Sequence, residues 1–345
     1  MIRNFTLAVA AVGLCACSNH DIRGDKNVTL FVPRAAMAAL GADVQVVGTH
    51  DSGVLITVPA DQEAAVKAQA PAGFRFDDWA HENTAYGFES MERKLQEFQR
   101  DYPTISTLAT YGTSRQGRPE YVMTISKKTS HDVSIVKPEV MITAATHGNE
   151  IITVDVALGL MEKLLKGYGV DARITNMLDS HTLYFVPAVC IDSYVAETRE
   201  NEGRDPNRDY PYPEVPSRNP VGCIRDIMAF ADSHQLAGTM DFHSAASMIM
   251  FPWAYTYNHI PTADYAKLDA LTTRMARTNG FAHGSISETI YVAKGSSADY
   301  YYWKKHSMAT AIEVSHNFAV EGDNGSDIVT ENTESTWLFI ESFTP

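Results

Sequence analysis

Apolar and polar positions follow two regimes along this chain. Between Asn27 and Gly73 the runs Val28–Val32, Val44–Val47 and Val54–Val58 predict short strands, while Arg34–Leu40 and Asp61–Ala68 predict helices. That βαββα order makes a small α/β module of residues 27–75. Beyond Asp78 the pattern lengthens. Phe88, Met91, Leu95 and Phe98 recur at helical spacing within 86–101, and Pro103 stops the helix. Strands are then expected at 105–111, 120–126, 138–145, 182–189, 238–243 and 308–314. Helices are expected near 150–166, 218–235, 262–279, 296–305 and 330–343. Such alternation indicates an α/β domain over residues 78–345, with a mixed, mostly parallel central sheet flanked by helices.

The N-terminus changes the picture. Residues 1–17 carry Arg3, an apolar run from Phe5 to Leu14, and then Cys15-Ala16-Cys17. The run is too short for a bilayer, which takes about 20 residues, and it fits a cleaved signal peptide. Leu14-Cys15-Ala16-Cys17 resembles a bacterial lipobox with Cys17 as the lipidated residue, followed by a polar linker at 18–26. The expected location is the bacterial cell envelope, with membrane contact only through that lipid anchor; secretion is the second choice. Cys190 and Cys223 then remain, and an envelope compartment permits a disulfide. A pair and two separate buried thiols fit the sequence equally well.

Composition excludes one class of partner. A net charge of -14 without clustered Lys or Arg gives no surface for nucleic acid. A monomer is expected.

Three separated segments carry candidate chemistry. His147-Gly148-Asn149-Glu150 follows the apolar run Val140–Ala145 and opens a helix, so that the His and the Glu three positions on can converge. Thr239-Met240-Asp241-Phe242-His243 is a second apolar strand ending in His. In Thr310-Ala311-Ile312-Glu313-Val314 a carboxylate interrupts a third apolar strand, which is costly unless the group is paired or working. Two His and one Glu form a catalytic zinc set, and open α/β sheets place their sites at such strand ends. Alone, the first motif reads better as a surface His-Glu pair; the other two segments give the metal reading its weight.

From about Tyr86 onward the chain resembles the zinc carboxypeptidase family, which includes carboxypeptidase A and compact bacterial members. The motifs occur in family order: Gly112-Thr113-Ser114-Arg115-Gln116-Gly117-Arg118-Pro119, His147–Glu150, Asp205-Pro206-Asn207-Arg208, Asp241–Ser244, the segment around Tyr291, and Glu313. The resemblance implies one zinc per chain held by His147, Glu150 and His243, with Glu313 as general base. It also implies that Asn207 and Arg208 bind the terminal carboxylate of a peptide, that Tyr291 closes over the bound residue, and that Asp205 backs His147. The family's oxyanion arginine falls at Arg199, with Arg204 as rival.

Some stretches depart from the family pattern. Cys190-Ile191-Asp192-Ser193-Tyr194 and Asn219-Pro220-Val221-Gly222-Cys223 both read differently, and both contain a cysteine. The position governing side-chain preference falls near Ala298, which lacks the acid that would select Lys or Arg. Lys294 nearby points instead to a carboxylate-bearing side chain. Two substrates follow: ordinary peptides cut at the C-terminal bond, or murein peptides cut between D-glutamate and diaminopimelate. Each presents a free carboxylate. A third reading is a non-catalytic binding protein of the same fold.

Overall fold

The computed structural model describes residues 27–33, 45–49, 53–59, 87–128, 136–317 and 325–343. The helices expected at 34–40 and 61–68, and the leader with Cys17, lie outside the described residues. Near the N-terminus, β1 (Asn27–Pro33), β2 (Gln45–Thr49) and β3 (Gly53–Pro59) form an antiparallel sheet of order β1-β3-β2.

The larger unit opens with α1 (Phe88–Asp101), β4 (Ser106–Thr113), β5 (Pro119–Ile125) and β6 (Glu139–Thr143). Next come α2 (Ile152–Gly167), α3 (Ala172–Ser180), β7 (Thr182–Val186), the single turn α4 (Ile191–Val195) and α5 (Gly222–Asp232). β8 (Leu236–His243), β9 (Ala246–Phe251), α6 (Thr262–Ala276), β10 (Ala282–Ser285) and α7 (Ile286–Thr289) follow. α8 (Ser297–Lys305), β11 (Met308–Ser315) and α9 (Gly325–Ile340) complete the order.

Eight strands make one sheet of order β10-β9-β11-β8-β6-β7-β5-β4. Its centre, β11-β8-β6-β7, is parallel throughout, while β9 against β11, β5 against β7 and β4 against β5 are antiparallel. The mixed, mostly parallel sheet expected from the sequence is the one observed.

Strand alternation sends successive side chains to opposite faces and divides the core in two. Ile142, Phe242 and Ile312 pack with α1, α2, α6 and α9 through Leu95, Val156, Met275 and Phe339. Met141, Val186 and Ala311 face the other way, onto Ile224 and Ile227 of α5 and Tyr300 and Tyr301 of α8. α1 shows how its sequence serves this: Met91, Leu95 and Phe98 are its buried residues. Burying such side chains contributes roughly 1.5–3 kcal/mol each.

Several elements went unexpected. α3 is short and polar, and starts because the Asp171 side chain accepts from the Arg173 and Ile174 N–H groups. β9 follows β8 almost at once, so the sequence reads as one apolar stretch. β10 is only four residues long, and its first two residues are exposed. No helix among the described residues is long and apolar enough to cross a membrane.

Candidate active site

The parallel centre of the sheet delivers the site. β6, β8 and β11 run side by side, and their C-terminal ends present His147, His243 and Glu313. The chain leaves β6 through Thr146 and His147, and Glu150 stands just before α2. Thr153 in the first turn donates through its hydroxyl to the Glu150 carbonyl at 2.6 Å, fixing that residue on the helix.

His147, Glu150 and His243 are nearly inaccessible, at 3%, 1% and 4% exposure. One potential ligand atom from each lies within 4.8 Å of the other two. Both rings present Nδ1 to the Glu150 carboxylate, at 2.7 Å for His147 and 2.9 Å for His243. Burial alone would push Glu150 up, but the two imidazoles hold it well below the ordinary carboxylate range. Two imidazoles and one carboxylate, buried and converging from distant segments, suit zinc. No other such cluster occurs among the described residues.

Each imidazole is backed by a carboxylate on its far nitrogen. His147 Nε2 lies 2.9 Å from Asp205 Oδ1, the contact the sequence suggested. His243 Nε2 lies 3.0 Å from Asp241 Oδ2, a residue to which sequence reading gave no role. The signal was present: Asp241 and His243 are two apart on one strand and share a face. Asp241 is buried and accepts from Thr143, Thr146 and Ser297 hydroxyls at 2.7, 3.0 and 2.6 Å. Burial opposes its charge, yet His243 and those hydroxyls keep it ionised below the usual range. Such partners fix ring orientation and raise ligand basicity.

Glu313 is the Cα neighbour of His243 across the β11–β8 pair. Its Oε2 is buried and makes no hydrogen bond. Burial, then the nearby Glu150 charge, push this carboxyl up to about 7. A divalent cation at the triad would pull it back down.

A cavity of about 230 Å³ opens over these groups. Arg199, Asn207, Arg208 and Tyr291 all line it. Arg199 straddles two carboxylates, with Nη2 3.0 Å from Asp205 and Nη1 3.4 Å from Glu150. Arg204 instead reaches Asp209 and the Asn219 carbonyl, so of the two rival arginines only Arg199 lines the cavity. Arg208 donates to the Tyr291 hydroxyl at 2.7 Å, and Tyr291 is 49% exposed. Asn207 places Nδ2 3.0 Å from His243 while its Oδ1 accepts from the Ser297 N–H. The turn behind Arg208 needs Gly295: its φ is +83°, and a Cβ would meet the Arg208 carbonyl oxygen at 2.5 Å.

Much of the remaining wall is apolar, with Ser244, Ser296 and Ser297 as its polar members. Met250, Ile286, Ile290, Ala293, Ala298 and Ala311 line it. Lys294 does not. Its ammonium pairs with Glu214 at 2.8 Å on the surface, which corrects the expectation that it faces the substrate side chain.

Comparison with known proteins agrees with this geometry. The zinc carboxypeptidase family model matches residues 91–334. A zinc carboxypeptidase of Saccharothrix mutabilis subsp. capreolus is 26% identical over 330 residues, covering 83% of this chain and 73% of that protein. Mouse carboxypeptidase A2 is 24% identical over 326 residues, covering 81% and 73%. In fold, the crystal structure of carboxypeptidase A from Helicoverpa armigera superposes with a TM-score of 0.66 at 18% identity, over 94% of this chain and 98% of that one. A match that spans most of the chain, with the buried His-Glu-His set inside it, means that this protein belongs to the zinc carboxypeptidase family and is a metallocarboxypeptidase.

Proposed function

We propose that this metallocarboxypeptidase, anchored in a bacterial envelope through Cys17, releases C-terminal residues with apolar side chains from peptides. The observation that carries the substrate reading is the wall of Met250, Ile286, Ile290, Ala293, Ala298 and Ala311 beside the triad. An apolar wall penalises any charged side chain that enters it unpaired. The murein reading is therefore second, because diaminopimelate carries extra charged groups.

Zinc, when bound, supplies a Lewis acid for the scissile carbonyl and lowers the pKa of its water to roughly 7. The chain's own residues do the rest. Arg208 presents a guanidinium fork to the terminal carboxylate, and the exposed Tyr291 closes over the residue to be released. Asn207 adds a donor on the same side. Arg199, beside Glu150, faces the charge that develops on the carbonyl oxygen. Glu313 takes the proton from the attacking water at its free Oε2 and delivers it to the departing amine. Asp205 and Asp241 hold the two imidazoles in place.

The test is Glu313→Gln assayed on an N-blocked dipeptide with a C-terminal Leu. The expected outcome is full zinc content with kcat lowered by about 10²–10⁴, the usual range for a lost general base. A variant as active as the wild type would refute the assignment.

A further inference from the structure

Sequence reading left Cys190 and Cys223 unpaired or paired; the structure joins them in a disulfide whose two residues are buried. Neither cysteine touches the cavity. Their neighbours do the explaining.

On one side of the bond lies the shelf under the first metal motif. Val189 N–H donates to the Ala144 carbonyl at 2.9 Å and Cys190 N–H to the Ala145 carbonyl at 3.2 Å. These carbonyls belong to the segment that leads into His147. The following turn packs directly on that segment: a Cβ at Gly148 would sit 2.0 Å from the Ser193 carbonyl carbon. Residues 189–193 thus fix where the chain turns between His147 and Glu150.

On the other side lies the first turn of α5, which grips the loop bearing Arg199, Asp205 and Arg208. Asn201 donates to Cys223 Sγ at 3.2 Å, the Gly222 N–H donates to Glu202 at 3.0 Å, and the Val221 N–H donates to Asp209 at 2.7 Å. That loop holds a 3₁₀ turn at Pro206–Arg208 and two isolated bridges, Asn201 with Arg204 and Tyr212 with Val215, but no longer strand or helix.

We propose that the Cys190–Cys223 disulfide is a positioning element of the metal centre. It braces the shelf beneath His147 and Glu150 against the helix that holds the Arg199–Arg208 loop, so that Asp205 stays on the back of His147. It touches neither metal nor substrate, and acts through the residues that do. The inference rests on the triad as the metal site and not on the identity of the peptide substrate.

The experiment compares the full-length protein with C190A/C223A and with Leu95→Ala, which removes a fully buried side chain from α1. Leu95→Ala serves as a destabilised control whose brace is intact. Zinc affinity is measured by competition with a chromophoric chelator, and the cobalt(II)-loaded forms are compared by visible absorption. The expected result is zinc binding at least tenfold weaker and an altered cobalt spectrum in C190A/C223A, with both unchanged in Leu95→Ala. Zinc binding within twofold of wild type and an identical cobalt spectrum in C190A/C223A would overturn the proposal. So would equal losses in both variants, which mark a general effect of stability. Should C190A/C223A fail to fold, the same two readouts on wild type reduced by a phosphine, with near-UV circular dichroism retained, decide the matter. A wild type that binds zinc yet hydrolyses no peptide would refute the carboxypeptidase substrate reading and leave this one standing.

Discussion

The apolar wall of the cavity makes a quantitative forecast about substrates. Consider N-blocked dipeptides that differ only in the C-terminal residue. In the limit, a Leu or Phe side chain lying against Met250, Ile286, Ile290, Ala293, Ala298 and Ala311 is fully withdrawn from water. Full burial of such a side chain contributes about 1.5–3 kcal/mol, and each 1.4 kcal/mol is a factor of ten. Release of Leu or Phe should therefore exceed release of Gly by roughly 10–150-fold in kcat/KM. Glu and Lys should fall at or below Gly, since Lys294 is engaged with Glu214 outside the cavity and Asp299 spends its carboxylate on the Ala254 and Tyr255 N–H groups. The cavity, about 230 Å³, is smaller than the roughly 300–1,000 Å³ of pockets for drug-sized ligands, as befits one side chain. Initial rates of amino-acid release across a panel of dipeptides give the ladder directly. Ala298→Asp should invert it, raising Lys and Arg above Leu. Wild-type release of Glu or Lys as fast as Leu would refute the assignment of this wall to substrate selection.

Two further perturbations probe different parts of the molecule. Arg208→Lys keeps the charge but removes the fork; KM should rise about 10–100-fold with a smaller change in kcat, and unchanged KM would remove Arg208 from carboxylate binding. Glu120 is fully buried, and burial, then the Asp226 carboxylate beside it, push it up to about 8. The unfolded chain releases that proton near pH 4.5, so the folded state binds more protons between about pH 4.5 and 8 and stability falls as pH rises through that window. Glu120→Gln should flatten the profile and be more stable than wild type at pH 8 by on the order of 2–4 kcal/mol in urea titrations, whereas a less stable variant would contradict the reasoning.

Much of the site was legible because its residues break strong patterns. His147 and His243 end apolar runs, and Glu313 puts a carboxylate inside one, so strand periodicity marked them as candidates and the resemblance to the zinc carboxypeptidases joined them in one site. Other features depend on paths that periodicity does not encode. Arg199 and Arg204 sit in one irregular loop, and only its fold shows that Arg204 turns to Asp209. Lys294 lies in an irregular segment, and only the fold shows that it pairs with Glu214 outside the cavity. Asp241 went without a role because an acid two residues before a His is not unusual; its meaning comes from Thr143, Thr146 and Ser297 around it. The disulfide joins cysteines 33 residues apart across a stretch of little regular structure, where sequence gives no distance.

The most direct measurement is an anomalous-difference map collected at the zinc edge from crystals grown with zinc. One strong peak per chain is expected between His147, Glu150 and His243, at about 2.0–2.2 Å from both Nδ1 atoms and from the carboxylate. A peak elsewhere, or none at saturating zinc, would contradict this assignment of the metal site.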